Sequence, residues 1–238
     1  MNSNTFWRCA AMMVLAVGTF FTLSTMTTHA AQSSAASTPA SCDASGTPTS
    51  ASQAHSSMDM GSPVSQDIDL MYIDMMIPHH ASIIALSQAA LPRLEDERLR
   101  TLAQNVIDAQ SAEIEELKGY RLEFYGSADS QPIDEQAMMM LMGDMEHSMD
   151  AMMSEMDATA QVAAICAALD VDVAFIDLTI PHHESAIMAS HVVVEQAVHP
   201  EMRDFAQRVI EAQEGEIEEL QQIRLELTGS AVVAATER

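Results

Sequence analysis

The chain has 238 residues, with Lys+Arg 10 against Asp+Glu 35 and a formal net charge of −25 at pH 7. So acidic a chain excludes a general nucleic-acid binder and a protein that docks on anionic membranes, since both need basic surface. Gly and Pro number 8 each and aromatics make up 4%, too few for a β-sandwich or a doubly wound α/β fold; hydrophobic residues at 48% suffice for a core, and Met at 20 is high.

Residues 1–30 read as a secretory signal. Arg8 supplies the positive start, AAMMVLAVGTFFTL the apolar stretch, and Thr28-His29-Ala30 the small residues before a cut after Ala30. An uncleaved membrane anchor is the alternative. No later run is long enough to span a bilayer, so no membrane association is expected after cleavage, and the protein is expected to be periplasmic or secreted. Cys9 leaves with the signal. Cys42 and Cys166 remain in an oxidising compartment, where they could pair, although their spacing says nothing about proximity. Residues 31–65, rich in Ser, Ala, Thr and Pro, read as a disordered linker.

The first helix is predicted over about 66–90. Inside it lies Ile77-Pro78-His79-His80, where the proline frees the carbonyl of Asp74 and kinks the helix one turn before a histidine pair. Adjacent helical residues are about 100° apart. His80 shares a stripe with Ile73, Ile77 and Ile84, so one histidine of the pair is expected to point into the core. Met71, Met75 and His79 are spaced i, i+4, i+8, and Met76 and His80 i, i+4, which puts thioether and imidazole on one face.

A second helix is predicted over about 95–125, with Pro92 in the turn and Gly126 as a left-handed cap. Its stripe Leu99, Leu102, Val106, Gln110, Glu113, Leu117 is apolar except for Gln110 and Glu113. A buried carboxylate is costly unless paired, protonated or bound to a cation. Glu113 is left with Arg100, Arg121, a histidine proton or a metal as its partner.

A third helix is predicted over 134–169. In Met138–Met156 nine of 19 residues are Met. Met138, Met142, Met145, Met149, Met152 and Met156 step by 4 and 3 in one continuous seam, with Met139, Met140 and Met153 off it and His147 nearly opposite. A seam of this period is what a packed helix needs. Cores ordinarily use Leu, Ile and Val, so a seam made only of Met points to soft-metal binding instead.

Residues 172–229 then repeat residues 69–126 at a constant offset of 103, with 26 identities in 58 positions. Ile180-Pro181-His182-His183 lies over the first histidine motif. Gln213 and Glu216 lie over Gln110 and Glu113, with Arg203 and Arg224 as the corresponding cationic partners, and Gly229 over Gly126. Ala174, Leu178 and Thr179 replace the three methionines of the first copy, while Met188 and His191 are added. The two copies are therefore not expected to bind identically. Two duplicated helical hairpins, each with one apolar face, bury those faces against each other in an all-α four-helix bundle with a pseudo-twofold axis and an extra Met-rich connecting helix. The bundle is expected over 66–229 (repeat one 66–126, connecting helix 134–169, repeat two 170–229), followed by a tail over 230–238.

Imidazole is the commonest metal ligand, and thioether sulfur is soft and neutral. Together they select Cu(I) and Ag(I) over Zn(II), Mg(II) or Ca(II), without a thiol that could oxidise. The doubled D-x-[MT]-IPHH pattern, with S-x-I beyond it and A-Q-x-x-EIEEL downstream, resembles the exported domain-of-unknown-function family numbered 305. That family includes CopM-type copper-resistance proteins, and the resemblance covers roughly 66–229. It implies a ferritin-like helical bundle that binds Cu(I), and often Ag(I), through Met and His in the periplasm. Carried over to this chain, it points to His79, His80, His182 and His183 with nearby Met71, Met75 and Met76.

The leading expectation is an exported, non-enzymatic protein for copper sequestration, resistance or delivery, partnered by a copper exporter or another periplasmic copper carrier. Its candidate ligands are these histidines and methionines together with Met138, Met142, Met145, His147, Met149, Met152, Met153, Met156, Met188 and His191, and at lower weight Glu113 and Glu216. The rival is a ferritin-like metalloenzyme using His80, Glu113, His183 and Glu216 around a redox metal, although the Glu-x-x-His pairs of di-iron bundles are missing. A third reading is a helical module whose Met surface grips a partner. No P-loop, G-x-G-x-x-G, C-x-x-C or G-x-S-x-G supports a common enzyme class.

Overall fold

Capping residues set where the helices begin and end. The computed structural model describes residues 40–42, 48–49, 67–142, 153 and 155–230, all within one unit, Ser37–Arg238. Its helices are α1 Ile68–Ala90, α2 Glu97–Tyr125, α3 Glu135–Met142, α4 Ala158–Ala167, α5 Val171–Gln196 and α6 Pro200–Thr228. Asp67, Asp96, Asp157 and Asp170 cap α1, α2, α4 and α5 by accepting from backbone N–H groups of the first turn. Pro200 opens α6, where its missing N–H costs nothing. Gly126 and Gly229 close α2 and α6 with φ of 78° and 80°, the left-handed conformation expected of both.

The hairpins α1–α2 and α5–α6 pack through α1 against α5. Contacts between Tyr72 and Ser190 and between Ser82 and His182 run those two helices antiparallel. Ion pairs Arg98–Glu226 and Arg208–Glu116 link α2 to α6, also antiparallel, and close the four-helix bundle. Each hairpin also grips the turn of the other. Asp69, at the start of α1, accepts from the backbone of Val198 and His199, while its duplicate Asp172 accepts from Glu95 and Asp96. Among the described residues no helix is long and apolar enough to cross a membrane.

The connecting segment departs from the single helix expected over 134–169. Residues 143–152 and 154 lie outside the described part, but a break is plain at Asp157, whose backbone is extended (φ −82°, ψ 92°). Its carboxylate takes the N–H groups of Thr159 and Ala160, so α4 starts afresh there. α3 and α4 both pack on α1 and α5. Two-residue strands β1 Ser41–Cys42 and β2 Pro48–Thr49 pair antiparallel. Cys42 forms a disulfide with Cys166 of α4, so this part of the tract read as a linker is held on the bundle. Arg93 reinforces the junction by donating to the carbonyls of Ile165, Cys166 and Ala168 at the end of α4.

The core falls into two halves. One gathers Met71, Met75, Met76, Met138 and Met202 with Tyr72, Phe205 and aliphatic neighbours, and Met156 packs against it. The other, which holds Cys166, is built from Leu, Ile, Val, Ala and Phe175, and contains no methionine among the described residues.

Candidate metal centre

The four histidines of the duplicated motif sit where these two halves meet. All four are fully buried, at 0% exposure. This corrects the expectation that one histidine of each pair points inward. α1 and α5 are the inner helices, covered by α2 or α6 on one side, by each other on a second, and by α3 and α4 on a third. Residues about 100° apart on such a helix both face protein.

His79 and His182 face each other across the pseudo-twofold axis, with ring centroids 3.8 Å apart. Their polar contacts are exchanged between repeats. His79 Nε2 lies 3.0 Å from Ser185 Oγ, and His182 Nε2 lies 2.8 Å from Ser82 Oγ. Ser82 also donates to the carbonyl of His79 or Glu155, and Ser185 to that of His182. Burial, and then repulsion from the neighbouring histidines, holds His79 and His182 well below the ordinary imidazole pKa of 6.5, so both rings are neutral.

His80 and His183 face outward to the second helix of their own hairpin. His80 Nε2 is 2.9 Å from Glu113 Oε2, and His183 Nε2 is 2.8 Å from Glu216 Oε2. These contacts lie off the ring N–H direction, so both nitrogens count as close to a carboxylate but poorly hydrogen-bonded. Of the partners open to the glutamates, the histidine is the one found. Arg121 is taken by Asp74 at 2.6 Å and Arg224 by Asp177 at 2.6 Å. Arg100 pairs with Glu97, and Arg203 donates to the carbonyl of Ala197.

Among the described residues, Nδ1 of all four histidines is buried without a hydrogen-bond partner. Buried polar atoms are normally satisfied. The Ser82 and Ser185 hydroxyls donate to carbonyls and so accept from Nε2 of His182 and His79, which leaves Nδ1 of these two neutral rings as a lone pair available to a cation. Three thioethers lie on the same helix as His79 and His80, within about two and a half turns of them: Met71, Met75 and Met76, at 4, 0 and 0% exposure. Met138 joins the same cluster from α3 and Met202 from α6. Thioether sulfur together with the neutral imidazoles of His79 and His182, all buried, is a donor set that fits a soft monovalent ion.

Other candidates are not brought here. Met153 is exposed, Met188 half-buried and His191 exposed, and none belongs to the methionine cluster. Met145, His147, Met149 and Met152 lie outside the described residues, as does the side chain of Met142. The redox-enzyme arrangement is not assembled either. His80–Glu113 and His183–Glu216 form two separate pairs, and among the described residues no three His, Cys, Asp or Glu side chains could share an ion.

Sequence reading missed Met202, Ser82, Ser185 and Glu155. Ser82 and Ser185 carry a signal, being identical in both copies three residues after His79 and His182. Met202 stands where the first copy has Leu99, so it reads as one more core residue. Glu155 is buried, and desolvation pushes its carboxyl up to about 7. Nothing in the Met-rich run marks it out.

Fold and site together define a duplicated all-helical bundle with a His layer between a methionine half and an aliphatic half. The chain belongs to the family described as Domain of unknown function (DUF305), whose pattern it matches over residues 69–224. It is similar to CopM in the Cu(I)-bound form, with a TM-score of 0.53 and 26% identity over 68% of this chain and 98% of that one. CopM in a silver-bound form is similar at 27% identity, with a TM-score of 0.52, over 68% of this chain and 97% of that one. A DUF305 protein from Streptomyces coelicolor shares the fold at 21% identity, with a TM-score of 0.53, over 67% of this chain and 93% of that one. No curated protein matches the chain.

Proposed function

We propose that this protein is an exported Cu(I)- and Ag(I)-binding protein that sequesters copper or passes it to a copper exporter or another periplasmic carrier. The observation that carries this reading is the polarity of the core. Two halves are built from the same duplicated helices, yet among the described residues one is assembled from aliphatic and aromatic residues with Cys166 while the other buries five methionines. Packing alone therefore does not require thioethers in this architecture. They sit beside four buried imidazoles whose Nδ1 atoms have no other partner among the described residues. The thioethers and the neutral rings of His79 and His182 need not lose a proton to bind. The likeness to CopM solved with Cu(I) and with silver points the same way. The signal pattern at residues 1–30 supports export.

Anaerobic titration with Cu(I), Ag(I), Zn(II) and Fe(II), with bound metal counted by elemental analysis, tests the proposal. Cu(I) and Ag(I) should remain bound after desalting while Zn(II) and Fe(II) are lost. Tight zinc binding without silver binding would mean that histidines and carboxylates, not methionines, make the site.

A further inference from the structure

The methionine half of the core is sealed: its five buried methionines are 0 to 4% exposed. The helix that covers it, α3, lies outside the duplication and is the most methionine-dense of the described helices, with sequence EQAMMMLM and no basic residue. Met138 and Leu141 are buried, whereas Met139 and Met140 are 53% and 42% exposed. Successive helical residues turn by about 100°, so thioethers continue around α3 from its core face to its solvent face. The other exposed large apolar side chains of the described surface are Met153, which also lies between the two repeats, and Leu and Val.

We propose that Met139 and Met140 are the exchange ligands through which a soft monovalent ion, Cu(I) or Ag(I), enters and leaves the buried thioether half. This rests on the reading that the buried half binds such an ion. The ion arrives held by a carrier, and hand-over requires an incoming donor to bind as the outgoing one leaves. One metal–carrier bond is replaced by one metal–thioether bond. The oxidation state does not change and no proton is released. A thioether suits the task because it is neutral, soft and carried on an unbranched, mobile side chain. Met138, next in the chain and already inside, offers the following donor. An exposed leucine pair would leave the same apolar surface but break the sulfur path.

The test is stopped-flow transfer of Cu(I) from its coloured bicinchoninate complex to the full mature protein without oxygen, at concentrations where the rate is proportional to protein. Met139→Leu/Met140→Leu should bind as many equivalents at the end as wild type, with the transfer rate lowered roughly tenfold, about 1.4 kcal/mol of barrier. Met75→Leu/Met76→Leu should instead lower the bound equivalents. An unchanged rate in Met139→Leu/Met140→Leu overturns the entry role. So does a loss of equivalents at unchanged rate, which would make the pair storage ligands. A wild-type protein that takes up no Cu(I) overturns the proposed function and this route with it.

Discussion

Tyr72 and Phe175 occupy duplicated positions, and the single hydroxyl between them accounts for an orphan. Tyr72 Oη bonds Ser190 Oγ at 2.7 Å, whereas Ser87, the duplicate of Ser190, is buried with its Oγ unpartnered among the described residues. Phe175→Tyr should supply the missing partner and stabilise the protein by about 1 kcal/mol in urea unfolding. A lower midpoint would show that the second copy has no room for the hydroxyl. The histidines make a second prediction, for the metal-free protein. His79 and His182 are held neutral in the fold but take up protons in the unfolded chain below pH 6.5, so their contribution is present above that pH and lost on acidification. Glu155 opposes them. Its folded value of about 7 lies above the unfolded 4.5, so its contribution is present at low pH and lost as pH rises towards 7. Two histidines against one carboxyl leave a net loss on acidification between 4.5 and 6.5, at most about 1.4 kcal/mol per pH unit. Urea midpoints that stay flat or rise between about pH 6.5 and about pH 5 would contradict this. At this scale the histidines and prolines were legible from their doubled spacing. The burial of both rings was not, because it depends on neighbours on three sides of α1 and α5.

Between the elements, the conserved geometry of the two repeats hides unequal energetics. Arg121 and Arg224 each clamp the aspartate one turn before the helix proline, and each also donates to a carbonyl beyond the end of its own helix, Ser127 or Ser230. Asp74 is 6% exposed and also accepts from Gln131 N–H, whereas Asp177 is 31% exposed. Removing one partner of a buried pair strands the other charge. Arg121→Ala should therefore cost about 3–5 kcal/mol, and Arg224→Ala clearly less because Asp177 can turn to water. Equal losses would mean that the carbonyl contacts, not the carboxylates, dominate. Most helix limits were readable from the repeat, the turn prolines and the two terminal glycines. The stop at Asp157 was not, since an aspartate directly after a periodic Met run reads as a solvent-facing helical residue until its carboxylate is seen capping α4.

For the whole molecule, duplication supplies a symmetric frame and three features break the symmetry. The methionines occupy one half, the Cys42–Cys166 disulfide closes the other, and α3 is added to the first. Part of this was visible in the sequence, because Ala174, Leu178 and Thr179 stand where the first copy has methionine. That Met138 and Met202 join those methionines, or that Cys42 reaches Cys166, is set by proximity across the fold, about which spacing is silent. The disulfide spans 124 residues, so Cys42→Ser/Cys166→Ser should lose about 2–4 kcal/mol. Bound Cu(I) should be unchanged in that variant, since the cysteines lie in the half without methionine. Loss of copper equivalents would show that the two halves are not separate in function. The most direct measurement of the central claim is X-ray absorption at the copper edge on the Cu(I)-loaded protein, beside a Met71→Leu/Met75→Leu/Met76→Leu variant. Sulfur and imidazole nitrogen should both neighbour copper in the wild type, with the sulfur contribution reduced in the variant. A copper shell of nitrogen and oxygen alone, the same in both proteins, would contradict it.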